Sequence, residues 1–191
     1  MLASASPRRR ELLGSICAEF RVEPSEIEEA LEGPDWAGAA ARLALAKARA
    51  VAARSSTGIV LGADTVVVID GLALGKPAGP EEARDMLRRL RGREHEVITG
   101  VAVVDAGTGR SASTAVVSRV RMADYPDARV DAYVATGEPL DKAGAYAIQG
   151  AGGELVAGVV GSYSNVVGLP LAATARLLAE FGAPVSPADA E

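Results

Sequence analysis

The opening of the chain places Ser4, Ser6, Arg8, Arg9 and Arg10 within the heptapeptide Ser-Ala-Ser-Pro-Arg-Arg-Arg. Ser6-Pro7 reads as a helix N-cap followed by proline at the first helical position. Arg8 and Arg9 then fall in the first helical turn, where cations oppose the helix dipole by roughly 0.3–1 kcal/mol each. An anion bound at the helix N-terminus reverses that penalty. Free amides, the Ser4 and Ser6 hydroxyls and guanidinium forks suit a triphosphate. A solvated basic turn explains the same residues, and this segment alone leaves both readings open.

A second cluster is Gly62-Ala63-Asp64-Thr65, inside a strongly apolar β-branched run. A carboxylate there must be paired, bound to metal, or placed at a bend. A turn or cap aspartate is the plain alternative. Lys76, in Leu74-Gly75-Lys76-Pro77, follows a predicted hairpin that would bring it near Asp64 on one sheet edge. The third cluster runs from Asp141 to Gly150, DKAGAYAIQG. It reads as a strand of small residues ending in Gln149, whose amide offers donor and acceptor together to a base. Asp141 and Lys142 as a surface pair, with Gly144 relieving a close contact, is the structural alternative.

Other candidates carry less. Glu28 and Glu29 offer carboxylates for a metal, as solvated loop residues also would. Lys47 sits on a predicted helix, where an exposed lysine is ordinary. The lone His95 reads as a structural hydrogen-bonding group. Neither GxxxxGK[ST] nor a strand-following GxGxxG occurs, which argues against P-loop and Rossmann nucleotide sites.

The elements that must position these residues are legible in outline. The 191-residue chain is 49% hydrophobic but only 4% aromatic, so an Ala/Val/Leu/Ile core in one domain is expected. Residues 1–182 are read as that domain and 183–191 as a frayed tail. A short first strand near Met1–Ser4 precedes the helix from Ser6. Asp35 caps a long Ala-rich helix to about Arg54. Gly58–Asp70 is a strand, Asp70-Gly71 a hairpin turn, and Leu72–Gly75 the return. A helix opens at Gly79-Pro80 and stops at Gly92. Strands at Glu96–Asp105 and Thr114–Met122 follow, then a helix over Asp127–Thr136. Glu138–Gly153 is expected to hold loop and strand, Leu155–Val160 a strand, and Asn165–Phe181 one closing helix. Hairpins among helices predict an α/β fold with a mixed sheet.

A net charge of −5 and the lack of a basic stripe argue against nucleic-acid binding. A single cysteine, Cys17, excludes an internal disulfide framework and a thiolate metal cluster. No apolar run approaches the ~20 residues of a membrane span, and no secretory h-region is present, so no membrane partner is expected and the cytoplasm is the default location.

Taken in order, the strings SASPRRRELL, EIEE, RLALAKA, GADTVV, LGKP, LRGREHEVITGV, GEPLDKAGAYAIQG and GSYSNVVGLPL resemble the Maf family of nucleoside triphosphate pyrophosphatases, historically septum formation inhibitors. They run from Ala3 to Leu171. The resemblance implies a curved mixed sheet flanked by helices, with two lobes around a cleft, like the inosine triphosphate pyrophosphatases. It implies a divalent cation, Mg or Mn, and a homodimer. It puts the catalytic carboxylate on Asp64, phosphate-binding cations on Arg8, Arg9, Lys47 and Lys76, and an acidic metal ligand on Glu29. Specificity positions fall on Arg8, Thr65 and Gln149. Gln149 in DKAGAYAIQG resembles the dTTP/UTP branch, whereas the 7-methyl-GTP branch carries an acidic residue in this region. Family members usually have several residues ahead of the Leu-Ala-Ser strand; here Leu2 follows Met1, and either a shortened first strand or a start codon assigned too late is expected. A nucleotide-binding regulator of cell division without essential turnover is the alternative, and pyrophosphate release separates the two.

Overall fold

The computed structural model describes residues 1–27 and 33–186. It divides into two compact units. The first comprises Met1–Thr65, Ile98–Val116 and the chain from Ser162; the second comprises Val66–Val97 and Val117–Gly161.

Helix α1 (Pro7–Ile16) begins as its cap signal predicts, with Ser6 Oγ accepting from the Arg9 amide at 3.4 Å. Ahead of it, Leu2 forms isolated parallel bridges to Val22 and Leu61 rather than a strand. Helix α2 (Trp36–Ala52) starts at Asp35, whose carboxylate accepts from the Gly38 amide at 3.0 Å. Strand β1 (Ile59–Ile69) turns at Asp70-Gly71 into β2 (Leu72–Leu74), paired antiparallel with Val67 opposite Leu74. Asp70 and Gly71 both take positive φ, the left-handed turn conformation that the Asp-Gly pair favours. Helix α3 (Pro80–Leu90), β3 (Glu94–Asp105), β4 (Ser111–Met122) and α4 (Asp127–Ala135) follow close to their predicted bounds. β5 (Val156–Val160) pairs antiparallel with β4. The sheet order is β2-β1-β3-β4-β5, and with the parallel Leu2 bridges the pairing is mixed.

In the first unit, alternation along β1 separates two cores. Leu61 and Ala63 join Leu13 and Ile16 of α1 and Leu177 and Leu178 on one face. Val60 joins Ala48, Val51 and Ala52 of α2 on the other. α2 approaches the sheet closely because small residues meet there. A Cβ on Gly62 would collide with Ala44 O and the Ala48 amide, and one on Gly100 with the Ala40 backbone.

Two expectations are corrected. Residues 138–153 hold no strand; they form three short 3-10 turns, Glu138–Asp141, Ala143–Ala145 and Gly150–Leu155. Gly144 and Ala145 take φ of 70° and 57°, which no strand accommodates. The closing segment is two helices, α5 (Tyr163–Val167) and α6 (Leu171–Glu180). Gly168 at φ 123° breaks the helix, and Pro170 biases Leu169 away from helical backbone. Beyond Gly182, the Ser186 amide donates to Ile16 O at 2.9 Å, and Ala183 and Val185 lie against the first core. Residues 187–191 lie outside the described residues. Among the described residues no helix is long and apolar enough to cross a membrane.

Candidate active site

Asp64 and Thr65 are adjacent in β1, so their side chains leave opposite faces. Asp64 shares the face of Gly62, two residues earlier, and α2 lies on it. The glycine that lets α2 settle therefore brings Lys47, one residue before Ala48, onto the carboxylate. Lys47 Nζ donates to Asp64 Oδ1 at 2.7 Å. Lys47 is 4% exposed and Asp64 5%. The ordinary exposed-lysine reading of Lys47 is thus overturned: it lies on the buried stripe of α2 with Leu43, Ala44 and Val51.

Thr65 takes the α1 face. Arg9 Nη2 donates to Thr65 Oγ1 at 3.0 Å, Arg9 Nε to Gly168 O at 2.9 Å, and Arg9 Nη1 to Ser4 Oγ at 3.4 Å. Ser4 Oγ also accepts from the Ser6 amide at 3.2 Å. The parallel Leu2–Leu61 register makes this possible, because it runs the chain alongside β1 toward Thr65 before α1 starts. Arg8 is half-buried beside Arg9, Arg10 is exposed, and the first turn of α1 contains no acidic residue. An open cavity of about 850 Å³ runs along α1 past Ser6, Arg10, Gly14 and Phe20. Its lining takes in Ser6 and neither Asp64 nor Lys47.

In the second unit, the segment carrying Gln149 is fastened at several points. The Gly144 amide donates to Gly75 O at 3.0 Å, directly before Lys76. A Cβ on Gly144 would lie 2.9 Å from Val67 Cγ1, so only glycine serves at this contact. The Ala147 amide donates to Tyr133 Oη at 3.1 Å, and Tyr133 Oη donates to Glu138 Oε1 at 3.0 Å. His95 Nε2 and Tyr146 Oη are 2.7 Å apart, both groups buried. Burial pushes the His95 pKa down to about 4 and the Tyr146 phenol up. His95 is therefore a neutral structural partner at ordinary pH. Gln149 itself is exposed, as is Lys76. Lys142 Nζ donates to Asp141 Oδ1 at 2.6 Å and to Glu138 O at 2.7 Å; Asp141 is exposed but the Lys142 side chain is largely covered, so the surface-pair reading holds for Asp141 alone.

Glu29 and Glu28 lie outside the described residues. Among the described residues no group of three or more His, Cys, Asp or Glu side chains is placed to hold a metal. Among the described residues Asp64 is the buried carboxylate, the donor type that hard divalent cations take.

Residues 1–181 match the model of the Maf-like protein family. The chain belongs to the Maf family. A dTTP/UTP pyrophosphatase of Moorella thermoacetica is 54% identical over 187 residues, 97% of this chain and 96% of the relative. The dTTP/UTP pyrophosphatase of Symbiobacterium thermophilum is 50% identical, covering 97% of this chain and 95% of the relative. That of Anaeromyxobacter dehalogenans is 51% identical, with the same two shares. Within this Maf chain, Thr99, Asn165 and Gly168 also support the site, and sequence reasoning did not single them out. Thr99 alone left a signal: a hydroxyl amid the apolar run of Val97, Ile98 and Val101.

Proposed function

We propose that this Maf protein hydrolyses nucleoside triphosphates between the α- and β-phosphates, with dTTP and UTP preferred, releasing the monophosphate and pyrophosphate. The observation that carries the mechanism is the buried Lys47–Asp64 pair. A buried ion pair stabilises a fold little compared with apolar residues of the same volume. A buried pair joining Asp64 of GADT to Lys47 of RLALAKA is better explained by chemistry. The relatives' activities supply the substrate class.

Attack on a triphosphate is opposed by its anionic oxygens, so cations must offset that charge before water can approach. Arg8 and Arg9 at the N-terminus of α1, with Lys76 after β2, bind the phosphates. Arg9 arrives with its guanidinium already oriented by Thr65 and Gly168 O. Lys47 occupies Asp64 Oδ1, which leaves Oδ2 to accept the proton of the attacking water. A divalent cation held by Asp64 and Glu29 would add charge neutralisation at the phosphates and the leaving pyrophosphate. Gln149 and Thr65 read the base.

This reading includes a homodimer acting in the cytoplasm to remove surplus or non-standard nucleotides, with residues 1–182 as the functional domain. The deciding experiment is pyrophosphate release from a panel of nucleoside triphosphates with Mg²⁺ or Mn²⁺. Nucleotide binding without release would sink the hydrolase reading.

A further inference from the structure

Thr99 is 0% exposed in the middle of β3, and its hydroxyl touches both arms of the structure that holds Arg9. On one side Thr99 Oγ1 and Thr65 Oγ1 are 2.9 Å apart, and Thr65 receives Arg9 Nη2. On the other, Thr99 Oγ1 donates to Asn165 O at 3.1 Å. Asn165 lies in α5, and its carbonyl also accepts the Gly168 amide at 3.0 Å. Gly168 O in turn accepts Arg9 Nε. The contacts close a ring through Arg9, Thr65, Thr99, Asn165 and Gly168.

The ring has only one proton order. A guanidinium only donates and a carbonyl only accepts. Thr99 has one hydroxyl proton, and Asn165 O takes it. Thr65 must therefore donate to Thr99 and accept from Arg9. Gly168 completes the circuit at φ 123°, with its hypothetical Cβ 3.6 Å from Thr65 Oγ1 and 3.7 Å from Arg9 Nε.

We propose that Thr99 is a positioning residue for triphosphate binding: it fixes the polarity of Thr65 and the placement of α5, and through both it orients the Arg9 guanidinium. A corollary is that Thr65 presents a ligand with an acceptor lone pair and a methyl group, because its proton is committed. This rests on the proposed role of Arg9 as a phosphate ligand.

The test compares Thr99→Val, Thr99→Ser, Thr65→Val and the Thr65→Val/Thr99→Val double variant. KM and kcat for dTTP are measured together with the Arg9 Nε–H signal by NMR, assigned by its loss in Arg9→Lys. Thr99→Val should raise KM about ten-fold, the scale of one charged hydrogen bond, with a smaller effect on kcat. It should also shift the Arg9 signal and speed its exchange with solvent. Thr99→Ser should restore both. The double variant should be no worse than Thr65→Val alone, since Thr99 acts on Arg9 only through the ring that Thr65→Val has already broken. An unchanged Arg9 signal in Thr99→Val overturns the proposal whether or not the enzyme turns over. So does a loss that Thr99→Ser does not restore, or additive losses in the double variant. A shifted, Ser-restored Arg9 signal in a parent protein that hydrolyses no triphosphate supports the positioning and refutes the hydrolase reading instead.

Discussion

Lys47 Nζ lies 2.7 Å from Asp64 Oδ1, with both side chains withdrawn from water. Two backbone features bring them together. Asp64 alternates onto the face of β1 that receives α2, and Gly62 on the same face lets α2 approach until Ala44 and Ala48 touch the strand. The pair is thus a consequence of small-residue packing between a helix and a sheet.

Asp64→Asn keeps the shape of the side chain and an oxygen for Lys47, so the variant should fold. It loses the basicity that proton abstraction needs. Turnover should fall by roughly 10²–10⁴, the usual contribution of a general base. Circular dichroism and melting checked beside pyrophosphate release make the test. A folded variant turning over near the parent rate would remove Asp64 from the role of base.

Gly62→Ala should destabilise the protein by about 1–3 kcal/mol, because the new Cβ meets backbone atoms of α2 that cannot swing aside. The strain falls where Lys47 is delivered, so activity should drop more than the melting temperature alone accounts for. Gly14→Ala is the control. It lies in α1 with nothing within 4 Å of its added Cβ, and helical Gly-to-Ala should stabilise by about 0.5–1 kcal/mol. Equal behaviour of the two variants would contradict the packing account.

Much of this was legible in the residues because the signals were local. Ser6-Pro7, Asp35, Asp70-Gly71 and Gly79-Pro80 are turn and cap signatures whose geometry is decided within a few residues. Segment 138–153 misled because its small residues permit a strand, and only the tertiary contact of Gly144 with Val67 shows why the backbone turns left-handed there. Lys47 misled for the opposite reason. Lys47 falls four residues from both Leu43 and Val51, on the apolar stripe, but the carboxylate that lets a lysine be buried there lies 17 residues away and is not announced locally. The support that Asn165 and Gly168 give Arg9 comes from backbone carbonyls, which any sequence supplies, so no residue type announces it.

Arg8→Ala and Lys76→Ala should weaken triphosphate binding while leaving the fold nearly intact. Arg8 is half-buried at the start of α1 and Lys76 is exposed after β2, so neither removal opens a core. Losing one charged hydrogen bond costs roughly 1.5–3 kcal/mol of binding. Melting curves with and without a non-hydrolysable dTTP analogue read this directly. The same ligand-induced rise in parent and variants would count against both assignments.

Acid stability should depend on His95. Its folded pKa of about 4 lies below the ordinary 6.5 because burial disfavours the imidazolium. Above pH 6.5 the ring is neutral folded and unfolded, and it adds no pH dependence. As pH falls from 6.5 toward 4 the unfolded chain takes up the proton first, so stability is lost across that window. The loss is at most roughly 3 kcal/mol. Urea unfolding of the parent and His95→Gln at pH 7.5, 6, 5 and 4.5 measures it. The variant should show the shallower decline; parallel curves would assign the acid sensitivity elsewhere.

Base preference should lie with Gln149. The segment that carries it is held by Gly75 O, Tyr133 and His95, so the exposed amide at its end is presented from a fixed base. A neutral amide donates to O4 or O2 of uracil or thymine and accepts from N3–H. A carboxylate only accepts, which suits a cationic 7-methylguanine and leaves the pyrimidine oxygens without a donor. The parent should therefore favour dTTP and UTP over CTP, GTP and 7-methyl-GTP in kcat/KM. Gln149→Glu should lose about ten-fold or more against dTTP, since an unpaired polar contact costs on the order of 1–3 kcal/mol. Its loss on 7-methyl-GTP should be smaller, or reversed. The segment tethers are untouched by this change, so melting should stay at the parent value. A parent preference for 7-methyl-GTP would overturn the pyrimidine assignment and leave pyrophosphate release standing. Equal losses on every base would show that Gln149 holds the phosphates or the sugar instead.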